Sequence, residues 1–118
     1  MATTIYVLKT CDSCRKALAW LDEQGVEYRR VDVRADGLSS EDLTNWCQQL
    51  GWQTLVNRRS RTWRELPEQS KTSMHEAAAV AAILAQPTLM KRPLLVASDG
   101  AVHAGFTAAS YAKIFAGD

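Results

Sequence analysis

Cys11 and Cys14 stand two residues apart in the run Cys11-Asp12-Ser13-Cys14. Paired thiols at that spacing suit redox chemistry, the first as nucleophile and the second within reach of the mixed disulfide it forms. A thiol attacks weakly at neutral pH because most of it is protonated, but the unpaired N–H groups and positive dipole end of a helix N-terminus favour the thiolate. Cys11 falls at such a place, between an apolar run and the start of a helical pattern. Asp12 opposes the thiolate by its charge, whereas Arg15 and Lys16 favour it. The competing reading makes both thiols small core side chains, since free cysteine is among the most buried residue types. The passage from strand to helix favours redox use.

The third cysteine, Cys47, shares an apolar face with Leu43, Trp46 and Leu50 and reads as core. His75 and His103 stand alone and read as a helix-surface and a strand side chain. A tetrahedral zinc site needs about four ligands, and Cys47, His75 and His103 have no paired ligand spacing, so no metal site is expected. Two further segments hold polar chemistry. Arg92-Pro93 precedes an apolar strand, where proline suits a turn or a cis bond because only X-Pro peptides adopt cis cheaply. The loop Asn57-Arg58-Arg59-Ser60-Arg61-Thr62-Trp63-Arg64 offers guanidinium groups that could fork onto carboxylate or oxyanion oxygens, although most of these arginines read as solvated surface.

The elements that must position these residues follow from periodicity. Ile5-Tyr6-Val7-Leu8 reads as a buried strand, and Ala17, Leu18, Trp20 and Leu21 recur at helical spacing until Gly25. Residues 26–33 alternate as a second strand, so the order strand, helix, strand implies a parallel pair with a right-handed crossover. Ser39, with Asp42 three residues on, starts a helix that carries Leu43, Trp46, Cys47 and Leu50 and stops at Gly51. Residues 70–86, rich in alanine, read as one packed helix with Met74, Ala77, Ala78, Ala81, Ile83 and Leu84 suited to its contact face. Pro93-Leu94-Leu95-Val96-Ala97, the turn Ser98-Asp99-Gly100 and Ala101-Val102-His103-Ala104 read as a hairpin, and residues 107–115 as a closing helix. The four tryptophans, Trp20, Trp46, Trp52 and Trp63, fit either core or an interface, and core is the plainer expectation.

The chain has 118 residues, enough for one buried core and too few for two independent ones, so a single domain is expected. Its composition, 47% hydrophobic and 23% charged, is that of a globular protein rather than a disordered one. A net charge of +1 supplies no global field for nucleic acid or an anionic membrane, so any anion site must be local. No stretch is long and apolar enough to span a bilayer, and no basic, then apolar leader is seen. A cytoplasmic location is the expectation, and the odd cysteine count is unlike the paired framework of small secreted domains.

Thr10-Cys11-Asp12-Ser13-Cys14-Arg15-Lys16-Ala17, Asp36-Gly37-Leu38, Leu50-Gly51-Trp52, Leu55-Val56-Asn57-Arg58-Arg59, Thr62-Trp63-Arg64, Lys91-Arg92-Pro93-Leu94-Leu95 and Gly105-Phe106 together resemble the arsenate reductase-like family, which includes Spx regulators and YffB-type proteins. The likeness covers almost the whole chain and looks closest to the YffB-type branch. It implies an α/β fold, a thioredoxin-like mixed sheet with a helical insert over about 38–88 before the cis-proline strand. It also implies Cys11 as nucleophile, Arg92 and Pro93 as the arginine and cis-proline facing it, and glutathione as cosubstrate with no tightly bound cofactor. Cys14 is then the candidate resolving thiol, and Arg15, Arg59 and Arg92 are candidates to bind glutathione or another anionic substrate. Expected partners are glutathione or a protein thiol or disulfide, with glutaredoxin a further one, and neither nucleic acid nor membrane directly.

Departures from the family pattern sharpen this. Glutaredoxin-linked arsenate reductases carry a histidine four residues before the cysteine, where this chain has Val7, and an arginine four after, matched by Arg15. Of three oxyanion-binding arginines, Arg92 is met, while Asn57 and Phe106 stand where the others are expected and Arg59 substitutes in part. A tetrahedral oxyanion beside a thiolate needs several donors to offset repulsion, so a thiol or disulfide substrate is favoured over arsenate. The non-enzymatic alternative is an Spx-like redox sensor whose Cys11–Cys14 pair alters a surface seen by RNA polymerase.

Overall fold

The computed structural model describes residues 2–116, which divide into two compact units, one of residues up to 32 and from 92 on, the other Val33–Lys91. The first unit holds the sheet. Strand β1 (Thr3–Val7) alternates buried and half-buried side chains, as its apolar odd positions dictate. Helix α1 (Asp12–Glu23) follows, with Cys14, Ala17 and Leu21 on its buried stripe, and Gly25 at φ 69° turns the chain back. Strand β2 (Tyr28–Asp32) runs parallel to β1, Thr3 opposite Tyr28 and Val7 opposite Asp32, the crossover expected of strand, helix, strand.

Strands β3 (Leu94–Val96) and β4 (Val102–Ala104) form the expected hairpin, and β3 pairs antiparallel with β1, giving the mixed order β2-β1-β3-β4. Helix α7 (Ala108–Phe115) closes the chain behind a capping box between Thr107 and Ser110. Ile5, Val7, Cys14, Ala17, Leu21, Leu95 and Tyr111 form one buried cluster, with Trp20, Phe106 and Phe115 packed against it.

The second unit is helical and contains the residues expected to form an insert. Helix α2 (Ser40–Leu50) is capped by the Ser39 hydroxyl, which accepts from the Asp42 N–H at 3.1 Å, and it buries Leu43, Trp46 and Cys47 as the sequence pattern requires. Short helices α3 (Trp52–Leu55), α4 (Arg61–Arg64) and α5 (Glu68–Thr72) lead to α6 (Glu76–Ala85), which packs on α2. A 3₁₀ turn at Pro87–Leu89 and an antiparallel bridge between Val56 and Met90 end the unit.

The single helix expected over 70–86 is two. The Ser73 hydroxyl donates to the Gln69 carbonyl at 2.7 Å, and the ring of His75, exposed as expected, accepts from the Ala78 N–H at 3.4 Å and caps the second helix. Short polar side chains that satisfy nearby backbone groups compete with a continuous helix. The contact face of α6 is Ala79, Val80 and Ile83, whereas Ala77, Ala81 and Leu84 are exposed. Of the tryptophans, Trp46 is buried while Trp20, Trp52 and Trp63 are half-buried.

Leu21 is wholly buried between α1 and the sheet. Leu21→Ala is expected to destabilise the protein by about 2–5 kcal/mol, measured as a lowered urea midpoint with unchanged secondary structure.

Candidate redox-active thiol site

The site begins where β1 ends. After Val7 the chain makes a tight turn in which the Cys11 N–H donates to the Leu8 carbonyl at 3.1 Å. Cys11 then takes an extended conformation, φ −92° and ψ 118°, and becomes the N-cap of α1. Its sulfur accepts from the Cys14 N–H at 3.4 Å, the place a serine, threonine or aspartate oxygen usually takes. A sulfur there meets the unpaired N–H groups and positive end of a twelve-residue helix, both of which favour a negative charge on it.

Cys11 is partly exposed, while Cys14, one turn on, points into the core and is 1% exposed. The competing reading of both as small core side chains therefore fits Cys14 and not the partly exposed Cys11. Burial pushes the Cys14 thiol up from its ordinary 9.0 to about 12, and a hydrogen bond to Cys11 adds to the rise. The Leu8 backbone hydrogen bond and the Arg92 charge act the other way, and the nearness of Cys11's charge reinforces the rise. Cys14 thus keeps its proton and presents it to the Cys11 sulfur.

Arg92 and Pro93 approach from the other side of β1. The Arg92–Pro93 bond is cis, as the sequence position suggested, and the Pro93 carbonyl accepts from the Gly105 N–H at 2.9 Å. Because Leu94 pairs with Tyr6 in the antiparallel register, these two residues flank the end of β1 from which Cys11 follows. Arg92 is half-buried, and its charge reaches Cys14.

Arg15 is placed differently from the expectation that it acts on the thiol. Its guanidinium meets the Asp12 carboxylate at 3.2 Å on the exposed face of α1, so each largely cancels the other's field. Arg59 is an exposed residue of the second unit, where its backbone N–H donates to Asn57 Oδ1 at 3.1 Å. Val7 is buried in the cluster and Phe106 packs against it, so two of the three positions at which the family pattern would want a charged side chain serve the apolar core.

Sequence reasoning passed over Tyr111, a tyrosine in an alanine-rich closing segment. The structure buries it completely in the same cluster as Cys14, with no hydrogen-bond partner for its hydroxyl among the described residues. Leaving a buried hydroxyl unpaired costs about 1–3 kcal/mol. No local pattern signals such a residue, because its surroundings come from β1, α1 and the Gly105-Phe106 turn. Among the described residues no three metal-ligating side chains gather, and no helix is long and apolar enough to cross a membrane.

A mixed sheet whose first strand delivers a cysteine to a helix N-terminus, with a cis-proline at the start of the neighbouring antiparallel strand, defines a thioredoxin-like α/β protein. The chain belongs to the ArsC family, whose model matches residues 6–114. It is 42% identical over 113 residues to an uncharacterised protein of Haemophilus influenzae, covering 96% of this chain and 98% of that one. The solved structure of a YffB protein superposes with a TM-score of 0.88 at 41% identity, covering 94% of this chain and 96% of that one. A global transcriptional regulator Spx of Listeria innocua is 27% identical over 95 residues, 79% of this chain and 72% of the regulator.

Because burial raises Cys14 first, and Cys47 and Tyr111 in the same direction, these groups stay protonated in the folded chain while the unfolded chain ionises. Stability from them is fully present below pH 9.0 and is lost as pH rises toward about 12. Urea midpoints of the wild type are expected to fall on crossing pH 9.0, and Cys14→Ala to fall less steeply over the same interval.

Proposed function

We propose that this protein is a glutathione-dependent thiol–disulfide oxidoreductase with Cys11 as its nucleophile. The observation that carries the reading is the Cys11 sulfur at the N-cap of α1, partly exposed and hydrogen-bonded by Cys14 from beneath. Thiolate Cys11 attacks one sulfur of a disulfide or glutathione mixed disulfide, forming a new S–S bond while the other sulfur leaves as a thiolate. With a glutathione mixed disulfide, Cys11 attacks the glutathione sulfur and the substrate thiolate leaves. Attack of one glutathione thiolate on the glutathione sulfur then bonded to Cys11 releases the Cys11 thiolate and yields oxidised glutathione. From any other disulfide the same attack yields a glutathione mixed disulfide, which a second glutathione reduces in the same way.

Glutathione is favoured over Cys14 for that second step because the burial that holds a proton on Cys14 also hides it from an incoming disulfide. Cys14 then acts chiefly as a donor to Cys11. Arg92 supplies positive charge for a glutathione carboxylate, and Pro93 shapes the adjoining backbone. Arsenate is a poorer fit, since Val7 and Phe106 leave an oxyanion without the donors that would offset its repulsion from a thiolate. The paired thiols and the likeness to Spx favour a second reading, a redox-responsive regulator of transcription that contacts RNA polymerase.

Treatment with oxidised glutathione is expected to add one glutathione to Cys11, seen by peptide mass spectrometry, and Cys11→Ser to lose both the adduct and glutathione-dependent disulfide reductase activity. Arg92→Ala is expected to raise KM for glutathione about tenfold, the loss of a charge-assisted hydrogen bond. An activity that survives Cys11→Ser sinks the mechanism, and oxidation-dependent capture of RNA polymerase by a chain without reductase activity would favour the regulator.

A further inference from the structure

The thiol site follows one end of β1, and the other end borders a cavity to which the redox reading gives no part. Thr3 and Val7 are the first and last residues of the strand, about 13 Å apart at the rise of an extended chain. Thr3 lines a cavity of about 540 Å³, a volume suited to a small molecule. Three other elements close on it. Helix α1 contributes Trp20 and, at its C-cap, Gln24; the turn between β3 and β4 contributes Ser98 and Asp99; the last turn of α7 contributes Phe115. Trp20 and Phe115 stack, with ring centroids 5.8 Å and planes 29° apart, and both are only half-buried, so an aromatic surface stands beside the polar groups.

Charge around the cavity is one-sided. Among the described residues that line it, Asp99 alone is charged, and its Oδ1 accepts from the Ala101 N–H at 2.9 Å, which holds the exposed carboxylate in the turn. Both helices reach the cavity with their C-terminal, negative ends. The last turn of α1 has no basic residue and carries Asp22 and Glu23, while Lys113 of α7 is exposed and does not line the cavity. An anion would meet a carboxylate and two helix C-termini there. A cation is attracted by all three, and by aromatic rings as well.

We propose that this cavity binds a small organic cation, an amine carried on a flat aromatic body, with the ammonium towards Asp99 and the two helix ends and the ring against Trp20 and Phe115. The Gln24 amide and the Ser98 hydroxyl supply further acceptors for ammonium hydrogens. No bond is made or broken there. The site goes beyond the thiol chemistry and does not rest on it, since none of the residues named here belongs to the Cys11 site.

The test follows backbone amide chemical shifts of the isotope-labelled full chain during titration with three probes of one shape and different charge: tryptamine, neutral tryptophol and indole-3-acetate. Tryptamine is expected to move the amides of Gln24, Ser98, Asp99 and Phe115. It should bind about two- to fivefold more tightly than tryptophol, the gain an exposed charge pair gives, with indole-3-acetate weakest. Asp99→Asn keeps the oxygen that accepts from Ala101 and removes the charge, while Gln24→Lys adds a positive charge at a helix C-terminus, where it suits the dipole. Each variant should bring tryptamine down to the affinity of tryptophol or below and leave tryptophol's own affinity unchanged. Equal binding of the three probes, tryptamine affinity unmoved in either variant, or an absence of shifts at these four amides overturns the site.

Discussion

The backbone N–H of Cys14 donates to the sulfur of Cys11 across the first turn of α1, and that contact ties the folding of the helix to the chemistry of the thiol. A helix start needs an acceptor for its unpaired N–H groups, and an extended residue at the end of a strand is where the acceptor must stand. With sulfur in that place, the demand that stabilises the helix also favours charge on the sulfur. The turn that closes on the Leu8 carbonyl places Cys11 where α1 can begin, and α1 must run back along the sheet for β2 to pair parallel with β1.

The two cysteines differ because a helix has an inside. Three residues along, nearly one turn, Cys14 occupies the stripe that Ala17 and Leu21 continue into the core. Burial holds its proton, and the proton is offered to Cys11. Charge around the pair is arranged just as unevenly. Arg15 spends its field on Asp12 at the surface, whereas Arg92 arrives half-buried from β3 and acts on Cys14.

Much of the fold was legible because local signals and tertiary demands agreed. Ser39 with Asp42, Gly25, Gly51 and the Ser98-Asp99-Gly100 turn each mark an element boundary by their own backbone chemistry, and the structure ends elements at those residues. Legibility failed over 70–86. Alanine favours helix everywhere, so the break before α6 came from Ser73 and His75 capturing backbone groups, a competition that propensity does not report. The face of α6 was equally obscure, since a helix apolar all round carries no polar side to orient it, and packing against α2 selected Ala79, Val80 and Ile83.

By itself the sequence determined the strand-to-helix placement of Cys11, the spacing to Cys14 and the proline that starts the hairpin strand, because each depends on residues within one turn or one strand of itself. Only tertiary structure decided which thiol is exposed, that Arg15 pairs with Asp12 at the surface while Arg92 is half-buried, and that Tyr111 joins the cluster in which Cys14 is buried. Those outcomes depend on desolvation and on contacts between residues as distant in the chain as Cys14 and Tyr111, and neither quantity exists until the core has closed.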